Sequence, residues 1–168
     1  MAVAEKKVGS GESNKYLTFI LKKDGATKND EEYGVPVTEV REIIGIMPIT
    51  AIPQSPPSMK GVINLRGKVI PITDLRTKFD MPERNHDEHT CIIVVEVNEK
   101  QVGMIVDVVS EVANINSSEI QNPQGFGNNT SNFVSGLAKQ PQSEKVIILL
   151  NINEIFPISQ LEEAIGIS

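Results

Sequence analysis

The hydrophobic pattern changes period along the chain in short runs, and most of those runs read as strands. Tyr16 to Lys22 is nearly apolar on both faces, and Glu31 to Pro36 resumes after the polar stretch Lys23 to Asp30, which predicts a hairpin. Pro36 to Val40 suits a single helical turn with proline at its start, and Arg41 to Ile46 is again strand-like. Pro48, Pro53, Pro56 and Pro57 mark an irregular connection, since each removes a backbone donor. Gly61 to Asn64 and Lys68 to Thr73 flank Leu65-Arg66-Gly67 as a tight hairpin, and Pro71 predicts a sheet edge or a bulge. Met81 to His89 is a polar loop.

The rhythm then recurs. Thr90 to Val97 and Gln101 to Val106 flank the turn Asn98-Glu99-Lys100, and Val108 to Ile115 follows as a strand. Ser117 to Ile120 suits one helical turn, Gln121 to Asn132 a Gly/Asn-rich loop, and Val134 to Leu137 with Lys145 to Leu150 a final strand pair. Ser159-Gln160-Leu161-Glu162 is a capping-box pattern, and Ile158, Leu161 and Ile165 share one helical face, predicting a C-terminal helix over 157–168 docked on the body. Residues 1–14 read as a flexible tail around Gly9-Ser10-Gly11.

Two stretches repeat in order. Tyr33 to Ile43 aligns without gaps on Val102 to Val112, and Lys68 to Leu75 aligns on Lys145 to Ile152, at offsets of 69 and 77 residues. Ordered matches at similar spacing indicate duplication. Each copy holds around five short strands, enough to close a small barrel but with a marginal core alone. Two packed lobes answer that shortage and leave a groove between them.

Composition supports the β reading. There are 21 Ile and 17 Val against 8 Leu, and β-branched side chains favour a pleated surface. The net charge of −6 argues against nucleic acid as a partner. No apolar run approaches the ~20 residues of a membrane helix, and no signal peptide is evident, so a soluble cytoplasmic protein is expected. The lone Cys91 lies in an apolar run and reads as a small hydrophobe. His86 and His89 are the only imidazoles, and there is no P-loop, nucleophile elbow or metal-ligand cluster. These residues point to no enzyme, no metal and no cofactor.

Lys60 to Phe79 carries five basic residues and one acidic one, with Arg66 beside a turn glycine where its fork of donors could meet a carboxylate. A solubilising surface charge is the alternative. This block, with Glu31-Glu32-Tyr33-Gly34-Val35, Val40-Arg41-Glu42-Ile43 and Val102 to Asp107, resembles the CheW family of bacterial chemotaxis adaptors over about Lys15 to Phe156. The resemblance implies a mostly β fold of two intertwined five-stranded SH3-like barrels within 15–156. It implies a scaffold that couples chemoreceptor cytoplasmic hairpins to the histidine kinase CheA through that kinase's CheW-like regulatory domain. Further CheW-like copies could share rings beneath membrane arrays, with no direct membrane insertion.

Carried over residue by residue, Arg66 matches the receptor-contact arginine. Val40 and Glu42 match receptor-binding positions, and Gly61 and Val112 match positions where receptor coupling is sensitive. Val40 and Val112 could equally be core, and Gly61 could serve only a turn. Phe126 matches a kinase or ring contact, with Gln121 beside it where some relatives carry a basic residue. Two other readings stand beside this one: the same adaptor in twitching or gene control, and a small-molecule-binding β-barrel.

Overall fold

The computed structural model describes residues 13–23, 30–123, 132–140 and 143–156. Phe126, the N-terminal tail through residue 12 and the expected helix over 157–168 lie outside them. The described chain is mostly strand, as the Ile/Val surplus predicts.

Strands β1 (Ser13–Leu21), β2 (Glu31–Pro36), β3 (Val40–Gly45), β4 (Met59–Leu65) and β5 (Lys68–Asp74) precede the single-turn helix α1 (Leu75–Lys78). The second half runs β6 (Cys91–Val97), β7 (Lys100–Val106), β8 (Val108–Asn116), β9 (Ile120–Gln121), β10 (Val134–Lys139), β11 (Val146–Leu150) and α2 (Ile152–Ile155). One sheet has the order β8-β1-β2-β11-β10-β9, the other β3-β6-β7-β5-β4. The two-residue β9 is the strand that takes the first sheet beyond five.

Both sheets curl shut. β8 and β9 lie at opposite ends of their sheet, yet only the turn Ser117–Glu119 separates them along the chain. In the other sheet, Thr50, five residues past the end of β3, bridges Val62 of β4 at the far edge through two 2.9 Å backbone hydrogen bonds. Closure leaves few open edges for unwanted pairing.

The duplication is visible in the strand register. The hairpin β1–β2 pairs with β8 and β11 of the second half, and the hairpin β6–β7 pairs with β3 and β5 of the first. Each sheet is therefore built from both halves, which is the intertwining expected from the family resemblance. The chain makes the two crossings through Val37–Glu39 and through Asp107. Bulges fall at equivalent places: the extra residues are Arg41 in β3 and Ser110 in β8, 69 positions apart. Gly34 and Gly103 share that offset. Each lies opposite a large side chain of a parallel neighbour, Leu149 for one and Ile72 for the other.

Three cores result. Inside the five-stranded barrel lie Ile63, Ile70, Ile72, Ile92, Val94 and Ile105. Inside the other lie Ala113, Ile115, Ala138, Ile147 and Leu149. The largest sits between the lobes, where Leu17, Phe19, Leu21, Tyr33 and Val35 meet Ile93, Val95, Val102, Met104 and Val106. Leu17, Phe19 and Leu21 of β1 face this inter-lobe core, while Tyr16 on the other face packs against the core of its own barrel.

Pro71 is not at a sheet edge. It lies in β5, between β4 and β7, and pairs with Val62 without a register shift there. Val62 turns its own amide and carbonyl toward Thr50, and the ladder with β7 starts only at Ile72. No neighbour asks Pro71 for the donor it lacks.

At the first crossing, Glu39 is half-buried and its Oε1 has no hydrogen-bond partner. Burial raises its carboxyl above the ordinary range. A raised carboxylate favours the folded state only while protonated, and that contribution is lost as pH rises through the folded value. Glu39→Gln should therefore raise stability at pH 7, with the gain vanishing below the ordinary carboxylate range. Urea melts at pH 7 and pH 3.5 check this, and an equal effect at both would refute it.

Candidate functional site

The β4–β5 tip turns on two residues, Arg66 and Gly67, with φ of 51° and 88°. Two positive values in a two-residue loop define the hairpin turn whose twist matches its strands. The Gly67 amide donates to Asn64 Oδ1 at 2.9 Å and fixes the turn. A left-handed arginine costs some backbone energy. In return it projects from the tip with its side chain 69% exposed.

Arg66 Nη2 donates to Glu42 Oε1. The tip of β4–β5 is thereby tied to β3, 24 positions away in sequence. Two of the five receptor-matched residues thus form one ion pair at the rim of the five-stranded barrel. An exposed pair of this kind adds about 0–1 kcal/mol of stability.

Gly61, five residues before Arg66 along β4, is there for a backbone reason. A Cβ there would lie 2.1 Å from the Thr50 carbonyl oxygen, and φ is 145°. The residue lets β4 approach the Thr50 bridge that closes the barrel. Val40 is half-buried and packs against the inter-lobe core. Val112 differs: it pairs with core residue Leu17 but is itself 54% exposed.

Ile43 was not singled out by the sequence reading and belongs beside Val112. It pairs with core residue Ile93 and is 45% exposed. It is also the duplicate of Val112, 69 positions earlier, a signal already present in the repeat alignment. Cross-strand partners share a face, so both side chains stand on the inter-lobe face at the open margin of the shared core. The two strands converge nearby. Gly45 of β3 pairs with Cys91, whose half-buried thiol takes a hydrogen bond from the Val109 backbone of β8. Burial pushes that thiol's pKa up. The result is an apolar crease at the margin of the shared core with Ile43 and Val112 on its flanks, while Glu42, which pairs with the barrel-core residue Val94, carries the Arg66 pair on the other face of β3.

The basic block does not form a basic patch. Arg76 is 3% exposed and paired with Asp107 at 2.7 Å. Lys60 lies 3.7 Å from Glu83, and Lys78 stands over the Phe133 ring at 5.5 Å, where burial lowers its pKa. Residues from elsewhere neutralise most of what looks like local surplus in the sequence. Gln121 is exposed on the two-residue β9. Among the described residues no group of His, Cys, Asp and Glu could hold a metal ion, and no helix is long and apolar enough to cross a membrane.

Comparison with known proteins agrees with this architecture. The sequence matches the CheW-like domain family over residues 26–160. It is 32% identical over 162 residues to the chemotaxis protein CheW of Klebsiella aerogenes, covering 96% of this chain and 92% of that one. It is 31% identical to the chemotaxis protein CheW of Bacillus subtilis, over 82% of this chain and 87% of the relative. The crystal structure of the scaffolding protein CheW from Thermoanaerobacter tengcongensis superposes with a TM-score of 0.76 at 33% identity, covering 88% of this chain and 95% of that one.

Proposed function

The chain belongs to the CheW-like family of chemotaxis scaffolding proteins, and from that premise we propose that its inter-lobe crease receives the helical cytoplasmic tip of a chemoreceptor while other lobe surfaces hold the regulatory domain of CheA. One observation carries the receptor half of this reading. Ile43 and Val112 are equivalent residues of the two copies, and both leave apolar surface exposed beside a shared core. A helical hairpin offers an apolar stripe at i, i+3, i+4 spacing, and a crease with two apolar flanks suits it. Burial there supplies affinity, and Arg66 at the rim supplies orientation through its free donors. Val40 and Gly61 act indirectly, by packing β3 and by setting the height of the β4–β5 tip. Gln121, with Phe126 beyond it, is assigned to the kinase or ring contact.

The test is a titration of labelled protein with a receptor cytoplasmic hairpin and, separately, with the CheA regulatory domain. Arg66→Glu should weaken receptor binding by more than about 1 kcal/mol, as expected for loss of a charge-assisted contact. Kinase binding and the thermal midpoint should barely move, because the Arg66–Glu42 pair is exposed. Unchanged receptor affinity would remove Arg66 from the interface, and binding to neither partner would refute the adaptor reading.

A further inference from the structure

A cavity of about 290 Å³ opens beside the end of α1. Lys78 and Phe79 come to it from that helix end, Tyr33 from β2, Phe133 from the residue before β10 and Ile148 from β11. Three rings line it in a row. The centroids of Tyr33 and Phe79 are 5.5 Å apart and those of Phe79 and Phe133 5.8 Å, each pair tilted by 33°. The chain has only seven aromatic residues, so three at one cavity is a concentration. Phe79, Phe133 and Ile148 pack on the inter-lobe core yet stay half-buried, which leaves apolar surface in contact with water.

The Lys78 ammonium stands at this wall, 5.5 Å from the Phe133 centroid, and pairs with no carboxylate among the described residues. A phenyl face is a weak partner for a cation. A lysine that only covered the ring with its stem would carry its ammonium out into water. Burial instead lowers the pKa of this one, because it has given up hydration without gaining a counter-ion. The other polar groups of the lining have work or water. The Tyr33 hydroxyl donates to Glu31 at 2.6 Å. Asp80 is exposed at the rim, where solvent screens its charge, and its amide closes the helix end on the Thr77 carbonyl at 3.1 Å. Among the described lining residues, the ammonium is the polar group left to meet a ligand.

We propose that this cavity binds a small aromatic carboxylate, with its ring against the Tyr33–Phe79–Phe133 row and its carboxylate on the Lys78 ammonium. The volume is at the low end of small-molecule sites, roughly 300–1,000 Å³, so it suits one ring on a short chain and not a nucleotide-sized group. A further ring extends a tilted row in the geometry that aromatic pairs prefer, and covers the wall that the fold leaves wet. The carboxylate gives the ammonium the charge-assisted partner it lacks. A cationic ligand would meet repulsion there, and a neutral one would bury the ammonium still unpaired. The site uses neither Ile43, Val112 nor Arg66, so it stands whether or not the receptor assignment does.

The experiment is an amide chemical-shift titration of the isotope-labelled full chain with 3-phenylpropionate, with 3-phenylpropanamide as its neutral isostere, and with acetate as the charge without the ring. Phenylpropionate should give saturable shifts centred on Phe79, Phe133 and Ile148. The amide should bind at least about fivefold more weakly, and acetate should not saturate. K78Q should bring the acid down to the affinity of the amide, with the thermal midpoint unchanged or raised because an unpaired charge is gone. The comparison of acid with amide on the unaltered chain decides the matter if K78Q does not fold. Equal affinity for acid and amide, no saturable binding of the acid, shifts centred away from these rings, or full binding by a folded K78Q would each overturn the proposal.

Discussion

Asp107→Ala should lower the free energy of unfolding by about 3–5 kcal/mol, the usual cost of stripping one partner from a buried ion pair. Asp107 and Arg76 are 5% and 3% exposed at their side chains and meet at 2.7 Å. The carboxylate Oδ2 also accepts the Lys22 amide at 2.8 Å. Arg76 in turn donates to the Lys22 carbonyl at 2.7 Å and to the Pro82 carbonyl at 2.8 Å. One pair therefore pins the end of β1, the helix after β5, the loop after that helix and the crossing from β7 to β8. Removing the carboxylate leaves a dry guanidinium and an unpaired amide. Guanidinium chloride melts read the cost directly. The double variant Arg76→Met with Asp107→Leu should recover part of it, because no charge is then left buried. A single-variant loss below about 1 kcal/mol would mean that the pair is not holding the crossing.

Gly61→Val should cost about 3 kcal/mol or more, from backbone strain at φ 145° together with overpacking. The clash is with a backbone carbonyl, which cannot swing aside as a side chain can. Relief requires breaking the two Thr50–Val62 hydrogen bonds that close the five-stranded barrel. For a chain of this size the thermal midpoint should fall by roughly 6–12 °C. Gly67→Ala is the control: its Cβ would meet nothing within 4 Å, so only turn strain remains. If both glycine variants cost the same, barrel closure is not what Gly61 provides. Because barrel closure positions the β4–β5 hairpin that carries Arg66, the Gly61 variant should also weaken receptor binding, but with a loss of stability that Arg66→Glu does not show.

Much of this was legible in the chain itself. Strand spans follow from Ile/Val alternation, because a residue's face in a strand is a local property. The repeat follows from comparing the chain with itself, and the register bears it out down to the bulges at Arg41 and Ser110. The turn at Arg66-Gly67 is also local. The roles of individual residues were less legible. Arg76 and Lys78 read as surface charge beside Arg66, yet one is in the core and the other is half-buried over a ring. Asp107, the partner that makes Arg76 a clamp, is 31 positions away, and nothing in its neighbourhood announces the pairing. Pro71 was misplaced because an internal strand tolerates proline wherever its neighbours bond elsewhere, and only the register shows that.

The same division holds for the site. Sequence alone determined two β-rich copies of one unit, each short of core. Pattern and composition are sums over local preferences, so one chain carries them. The tertiary structure decided that each sheet draws strands from both copies. It decided that Ile43 joins Val112 at the inter-lobe margin, that Arg66 meets Glu42, and that Arg76 is buried against Asp107. Those outcomes depend on which distant backbone fills which edge. Burial and ion pairing follow from that placement, since a charge or a valine acquires its role only from what closes around it.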